Sequence, residues 1–165
     1  MKTKVKRINK KELKVGNIKF ARFLTEAKKN TYALQGERGE KILDDGTKEL
    51  TYRKTPYVYR DRYFGSKKFI GEEIVFRSGK PVWGMNYCGS ILLKLVNHKE
   101  IYSFLKKVMY MVKEERPFRG PKKFTENNFL YKDTSIGNVR SFMGTEEIYL
   151  DGKKVYKLNY HGGDL

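Results

Sequence analysis

Cysteine is nearly missing from this chain of 165 residues: Cys88 stands alone. One thiol excludes an intrachain disulfide and any cysteine-based zinc site, a usage that suits a reducing cytoplasm. Histidine is scarce as well, with only His98 and His161, and neither an HExxH pattern nor a dense His/Asp cluster occurs. No metal and no cofactor is therefore expected. No apolar run approaches the roughly 18 residues of a membrane span. The opening stretch MKTKVKRINKKELK is basic but lacks the apolar segment of a secretory signal. A cytoplasmic protein without a membrane partner is the expectation. Walker and dinucleotide-type glycine fingerprints are absent, and GERGE at Gly36–Glu40 is too acidic and too short for a phosphate loop. Acidic residues are outnumbered, 19 against 36 Lys/Arg, for a net charge of +17. Such a charge favours solubility and concentrates anions, so nucleic acid or another polyanion and an acidic small ligand are natural partners. A generally lysine-rich proteome explains the same number without any partner.

What the chain does have is a repeat. Phe69–Gly89, FIGEEIVFRSGKPVWGMNYCG, recurs as Phe142–Gly162, FMGTEEIYLDGKKVYKLNYHG, with 9 of 21 positions identical and no gaps. A repeat fixes architecture before any local signal does. This one extends outward, because Tyr59–Arg60–Asp61 matches Tyr131–Lys132–Asp133 with one residue of slippage. Phe20, Phe23, Leu24 and Ala27 share the i, i+3, i+4, i+7 spacing of Ile101, Phe104, Leu105 and Val108. That is the stripe of an amphipathic helix.

Taken in order, residues 1–16 read as a basic arm. Gly16–Asn17 reads as a cap, and a first helix follows over about 17–29. Residues 31–49 read as a long loop with a short strand near Tyr32–Leu34 and a tight turn at DDGTK. Tyr57, Tyr59 and Asp61 share one face of a strand, with Val58, Arg60 and Arg62 on the other. Pro56 marks a strand boundary. Asn97 or His98 opens the second helix, which Pro117, Gly120 and Pro121 stop. Residues 116–128 read as a basic loop. Ser78–Gly79 and Asp151–Gly152 are two-residue hairpin turns. The predicted fold is α+β: a single domain over 17–165 built from two pseudo-symmetric halves, about 17–96 and 97–165. Two main helices pack on one face of a mainly antiparallel sheet of about six to eight strands.

Regular pairing across Ser78–Gly79 sets Val75 opposite Val82, Glu73 opposite Gly84 and Gly71 opposite Asn86. Glu73 and Asn86, with Glu146, Asn159 and His161 from the second copy, then share a polar face, and Trp83, Met85 and Tyr87 share an apolar one. A cleft between the halves bearing Glu73, Glu146, Asn86, Asn159 and His161 suits a small ligand with amine or amide groups. Paired carboxylates also permit acid–base chemistry if one carries a raised pKa. The structural alternative is that Glu146 pairs with Lys157 and that each asparagine satisfies local backbone. Cys88 sits where the second copy has His161, so a symmetric histidine pair is excluded. The competing reading is nucleic-acid binding through Lys4, Lys6, Arg7, Lys10, Lys11, Arg53, Arg60 and Arg62, since YRKTPYVYRDR interleaves basic and stacking side chains.

The wording FARFLTEAKKNTYA, DDGTKELTY, YFGSKKFIGEEIV, GKPVWGMNYCG and VYKLNYHGG resembles the family catalogued as domain of unknown function 5680, from Ile18 onward. That resemblance implies a cytoplasmic module that occurs alone or behind helix-turn-helix domains of prokaryotic regulators, hence a sensing or dimerising role in transcription regulation. It brings no cofactor or catalytic residues. The expectation is a non-enzymatic ligand-binding or sensor domain, monomeric or homodimeric. A nucleic-acid-binding accessory protein is the alternative, and an enzyme using paired carboxylates the third reading.

Overall fold

The structure, a computed structural model, describes residues 10–35, 39–93 and 96–165. The elements run α1 (Lys10–Lys28), a π-helical turn (Lys29–Ala33), β1 (Lys41–Ile42), β2 (Lys48–Lys54), β3 (Tyr57–Gly65), β4 (Lys68–Arg77), β5 (Lys80–Ile91), α2 (His98–Met109), β6 (Lys123–Glu126), β7 (Phe129–Asn138), β8 (Ser141–Leu150) and β9 (Lys153–Asp164). The strands form one sheet in the order β1-β2-β3-β4-β5-β9-β8-β7-β6. Every pairing in it is antiparallel. The class is α+β, with one strand more than expected. Among the described residues no helix is long and apolar enough to cross a membrane.

α1 begins at Lys10, not at a Gly16–Asn17 cap. A glycine inside a helix costs only about 1 kcal/mol relative to alanine, so Gly16 is carried rather than obeyed as a boundary. Lys10 and Lys11 therefore open a helix instead of extending an arm, while Lys4, Lys6 and Arg7 lie outside the described residues. The strand expected near Tyr32–Leu34 is also replaced, by the end of the π-helical turn. Thr31 Oγ1 donates to the Ala27 carbonyl oxygen at 2.8 Å, a side-chain bond that bends helices. α2 starts as its sequence predicts. Asn97 is the N-cap and its side chain accepts from the Lys99 amide. Ile101, Phe104, Leu105 and Val108 are all buried, and the helix ends at Met109, well before Pro117.

Both predicted hairpin turns form. Ser78 and Gly79 have φ of 51° and 79°, and Asp151 and Gly152 have 49° and 75°. Two consecutive positive φ values are the type I′ signature of a two-residue hairpin. Arg77 pairs with Lys80 as expected, but the register then shifts: Phe76 pairs with Pro81, Val75 with Trp83 and Glu73 with Met85. The second hairpin repeats the irregularity, with Tyr149 opposite Lys154 and Ile148 opposite Tyr156. Val82 and Val155 are thus the extra residues of two β-bulges. A one-residue slip carries every later side chain to the other face of a sheet. The polar face drawn from regular pairing is accordingly wrong. Glu73 and Glu146 lie with Trp83, Met85, Tyr87, Tyr156 and Tyr160 on the buried side, and Asn86, Asn159 and His161 are on the exposed side.

The core follows from that assignment. Phe23, Leu24 and Ala27 of α1 and Ile101, Phe104, Leu105 and Val108 of α2 share one cluster with Val75, Trp83, Met85, Ile148, Tyr156 and Leu158 of the sheet. Each large apolar side chain buried here contributes about 1.5–3 kcal/mol. Trp83 is fully buried, and its indole Nε1 donates to the Val139 carbonyl oxygen at 2.8 Å.

Candidate functional site

The buried face of the sheet carries two sets of polar side chains at equivalent positions of the repeat. Their layout starts from a glycine. Tyr87 on β5 stands opposite Gly71 on β4, and a Cβ on Gly71 would lie 2.5 Å from the tyrosine Cζ and Oη. The missing Cβ lets the ring lie across β4, so its hydroxyl donates to Asp61 Oδ1 on β3 at 2.6 Å. Gly144 does the same for Tyr160, whose hydroxyl donates to Asp133 Oδ1 at 2.8 Å. In each set a glutamate stands directly across the strands from the aspartate, Glu73 from Asp61 and Glu146 from Asp133.

The C-terminal set is closed. Arg119 holds Glu146 in a fork, Nε to Oε2 at 3.0 Å and Nη2 to Oε1 at 2.9 Å. Tyr131 donates to Oε2 at 2.7 Å and Tyr156 to Oε1 at 2.9 Å. Four donors satisfy a carboxylate that is 0% exposed. Arg116 Nη2 reaches Asp133 Oδ2 at 2.8 Å. Burial, and then the charge of Glu146, push Asp133 up to about 6 while Arg116 pulls the other way. Burial and the same glutamate raise the phenols of Tyr131 and Tyr156 well above their ordinary range.

The N-terminal set is incomplete. Glu73 receives Lys28 Nζ of α1. Trp83 occupies the position of Tyr156, and its only N–H donor is turned to Val139, so the second phenol is gone. Burial lowers the Lys28 pKa, and its pairing with Glu73 opposes that. Asp61 is the residue left over. Among the described residues Tyr87 is its hydrogen-bond partner and no cation pairs with it directly. Burial, and then the charge of Glu73, push Asp61 up to about 7, with the Tyr87 hydrogen bond and the more distant Lys28 and Arg119 working against the rise.

A cavity of about 100 Å³ opens at this incomplete set. Its sheet wall includes Tyr59, Asp61, Glu73 and Tyr87, and Lys28, Tyr32, Leu105 and Arg119 lie across from them. Tyr63 and Tyr102 also line it. Tyr63 donates to Glu40, and Tyr102 to the Ser66 carbonyl oxygen.

The five predicted ligand residues divide between two places. Glu73 borders the cavity, and Glu146 stands behind Arg119 and Tyr156. The strand order puts β4 and β8 three inter-strand spacings apart, roughly 14 Å, so the two glutamates do not meet. Nor does Glu146 pair with Lys157, which stands opposite Glu147. Asn86 faces His161 and Cys88 faces Asn159 across β5 and β9. These four line a shallow groove on the open face with Ile70, Ile136 and Met143. Thr145 Oγ1 donates to Asn159 Oδ1 at 3.0 Å. Of the basic residues assigned to nucleic acid, Arg62 is spent on Glu49 at 2.5 Å and Arg60 lies 3.7 Å from the same carboxylate, stacked on Phe76. Arg53 is exposed.

Asp61, Lys28, Arg116 and Arg119 were absent from the sequence-derived site. The repeat did signal Asp61, by matching it to Asp133. Nothing in the basic run of 116–128 distinguishes the two partly buried arginines from solvated ones.

No curated protein and no solved structure matches the chain. One family profile, described as domain of unknown function (DUF5680), matches residues 61–165. The matched segment opens on Asp61 and contains Glu73, Tyr87, Arg119, Asp133 and Glu146, while Lys28 precedes it. Since the match spans more than half of the sequence, the chain belongs to the DUF5680 family.

Proposed function

We propose that this protein is a ligand-binding domain, a sensor whose ligand enters the cavity at Asp61. The observation that carries the reading is the contrast between two equivalent carboxylate sets. One is filled by Arg116 and Arg119, and the other faces a cavity with its aspartate unpaired among the described residues. The domain is read as a duplicated unit with an approximate two-fold axis. Support comes from the strand order, which is the same from either edge, and from bulges and Tyr–Asp hydrogen bonds at equivalent positions. In such a pair one half serves as structural support and the other as receptor.

The test is a thermal-shift screen of small molecules on the wild-type protein and on Ser66→Trp, which places an indole at the exposed rim of the cavity. Compounds that raise the wild-type Tm are expected to lose their effect on Ser66→Trp and to keep it on His161→Ala. Shifts that survive Ser66→Trp and vanish on His161→Ala would move the site to the open face and overturn the reading. A second reading, acid–base chemistry on the bound molecule, is favoured by the raised pKa of Asp61 beside Glu73. Chemical change of a bound compound that ceases in Asp61→Asn would select it.

A further inference from the structure

We infer that the cavity takes a protonated amine, whose ammonium group sits on the free oxygen of Asp61. The inference rests on the ligand-binding reading above and names the chemistry of its ligand.

The first argument is a count of buried charge. On the covered face, among the described residues, Lys28 pairs with Glu73, Arg119 with Glu146 and Arg116 with Asp133. Asp61 has no such partner. A buried carboxylate without a counter-charge protonates instead of staying ionised. It is 6% exposed and uses one oxygen for the Tyr87 hydroxyl. One positive charge would complete the set, and no rearrangement of the existing pairs is required. An anionic ligand has the opposite problem. It must draw Lys28 or Arg119 away from a buried carboxylate, and breaking a buried pair costs about 3–5 kcal/mol.

The second argument is the wall. Tyrosine faces attract cations through their quadrupoles. This face already uses them so: Lys28 Nζ lies 6.0 Å from the centre of the Tyr59 ring, and the Arg119 guanidinium lies 5.9 Å from that of Tyr87. Tyr59, Tyr87 and Tyr63 all border the cavity with Asp61.

The third argument is size. An apolar cavity of about 150 Å³ accommodates benzene. The cavity here, about 100 Å³, accepts a small amine or the amine end of a longer molecule.

Binding is linked to protons. Below neutral pH the carboxyl of Asp61 carries one, and an ammonium ion R–NH₃⁺ displaces it, giving the ion pair and one H⁺ released to solvent. The groups facing Asp61 are Glu73 on β4, Tyr87 on β5, Lys28 on α1 and Arg119 in the segment before β6, with Lys48 on β2 and Lys106 on α2 also lining the cavity.

The experiment titrates the full chain with n-butylamine and benzylamine, and with 1-butanol and benzyl alcohol as uncharged counterparts, at pH 5.5, 7.0 and 8.5. Calorimetry in two buffers of different ionisation enthalpy reads proton release. Amines are expected to bind at least tenfold more tightly than the alcohols. Their affinity should rise several-fold to tenfold per pH unit up to about 7 and then level off, with proton release below that point. Asp61→Asn should lose at least tenfold in amine affinity and should lose the pH slope. Equal binding of alcohols and amines would overturn the amine assignment while leaving the ligand-binding reading intact. Failure of the screened compounds, amines included, to depend on Ser66→Trp would sink the reading beneath it. If Asp61→Asn does not fold, the wild-type slope and the amine-to-alcohol ratio still decide. An Asp61 carboxyl titrating below about 5 by carbon-detected NMR in the free protein would show a cation already in place and overturn the proposal.

Discussion

Two glutamate–aspartate pairs, laid out by the same repeat, have opposite fates in this molecule. Around Glu146 and Asp133, two arginines and three phenols provide a donor for nearly every lone pair. Around Glu73 and Asp61 there are one lysine, the Tyr59 phenol beside the glutamate, the Tyr87 hydroxyl on the aspartate, and a tryptophan where the third phenol would be. The backbone plan is shared, down to the glycine beneath each tyrosine. The lesson is that matched glycine, tyrosine and carboxylate positions preserve the sockets, while the side chains around them decide how completely each is filled.

The largest effect should come from opening the closed set. Arg119→Met leaves Glu146 buried with phenol donors alone, and is expected to cost about 3–5 kcal/mol in urea unfolding. Arg22→Met, at an exposed pair with Glu114, should cost less than about 1 kcal/mol and serves as the control.

The next test sets the two aspartates against each other. Asp61 has its pKa raised from 3.8 to about 7 on folding. Its contribution to stability is therefore complete below its unfolded value near 4 and is lost as pH rises through about 7. Asp61→Asn keeps an acceptor for Tyr87 and removes the charge facing Glu73. It should raise stability by about 1–3 kcal/mol at pH 8 and leave it nearly unchanged at pH 4. Asp133→Asn instead strips Arg116 of its partner and should destabilise at pH 8. Thermal unfolding across pH 4 to 8 reads both. Equal behaviour of the two variants would erase the distinction between the halves.

The smallest expected effect belongs to the tyrosines. Tyr160→Phe and Tyr87→Phe each remove one hydroxyl donated to an aspartate, worth about 0.5–1.5 kcal/mol net. Tyr87→Phe should also move the titration of Asp61 upward, readable by carboxyl NMR, because its hydrogen bond is what lowers that pKa. Arg116 limits the corresponding shift for Asp133.

Much of this plan was readable before the fold was known. The repeat, both hairpin turns, the stripe of α2 and the shared face of Tyr59 and Asp61 all follow from spacing, because each is a local rule with a fixed period. The site was legible only in part. Glu73 was named, but the bulges at Val82 and Val155 leave no composition signal, and missing them sent Asn86 and Glu73 to the same side. Asp61 was visible as a repeated letter without a reason to single it out, since a carboxylate on a strand reads as solvated unless its burial is known. Arg119 lies in a run of positive charge. Its role depends on meeting Glu146, a contact across 27 positions that no local pattern encodes.

The two bulges have a further consequence, best put in terms of parity. Apart from the bulge valines, which also face the core, the inward side chains of both strands carry odd numbers in the first copy, from Phe69 to Tyr87, and even numbers in the second, from Phe142 to Tyr160. The turn alone would have switched parity between the strands of a hairpin, and the extra valine switches it back. Flattening either bulge while keeping its valine would therefore act as a frameshift in space. It would export tyrosines to solvent and import Asn86 with Cys88, or Asn159 with His161, without changing a single residue identity downstream.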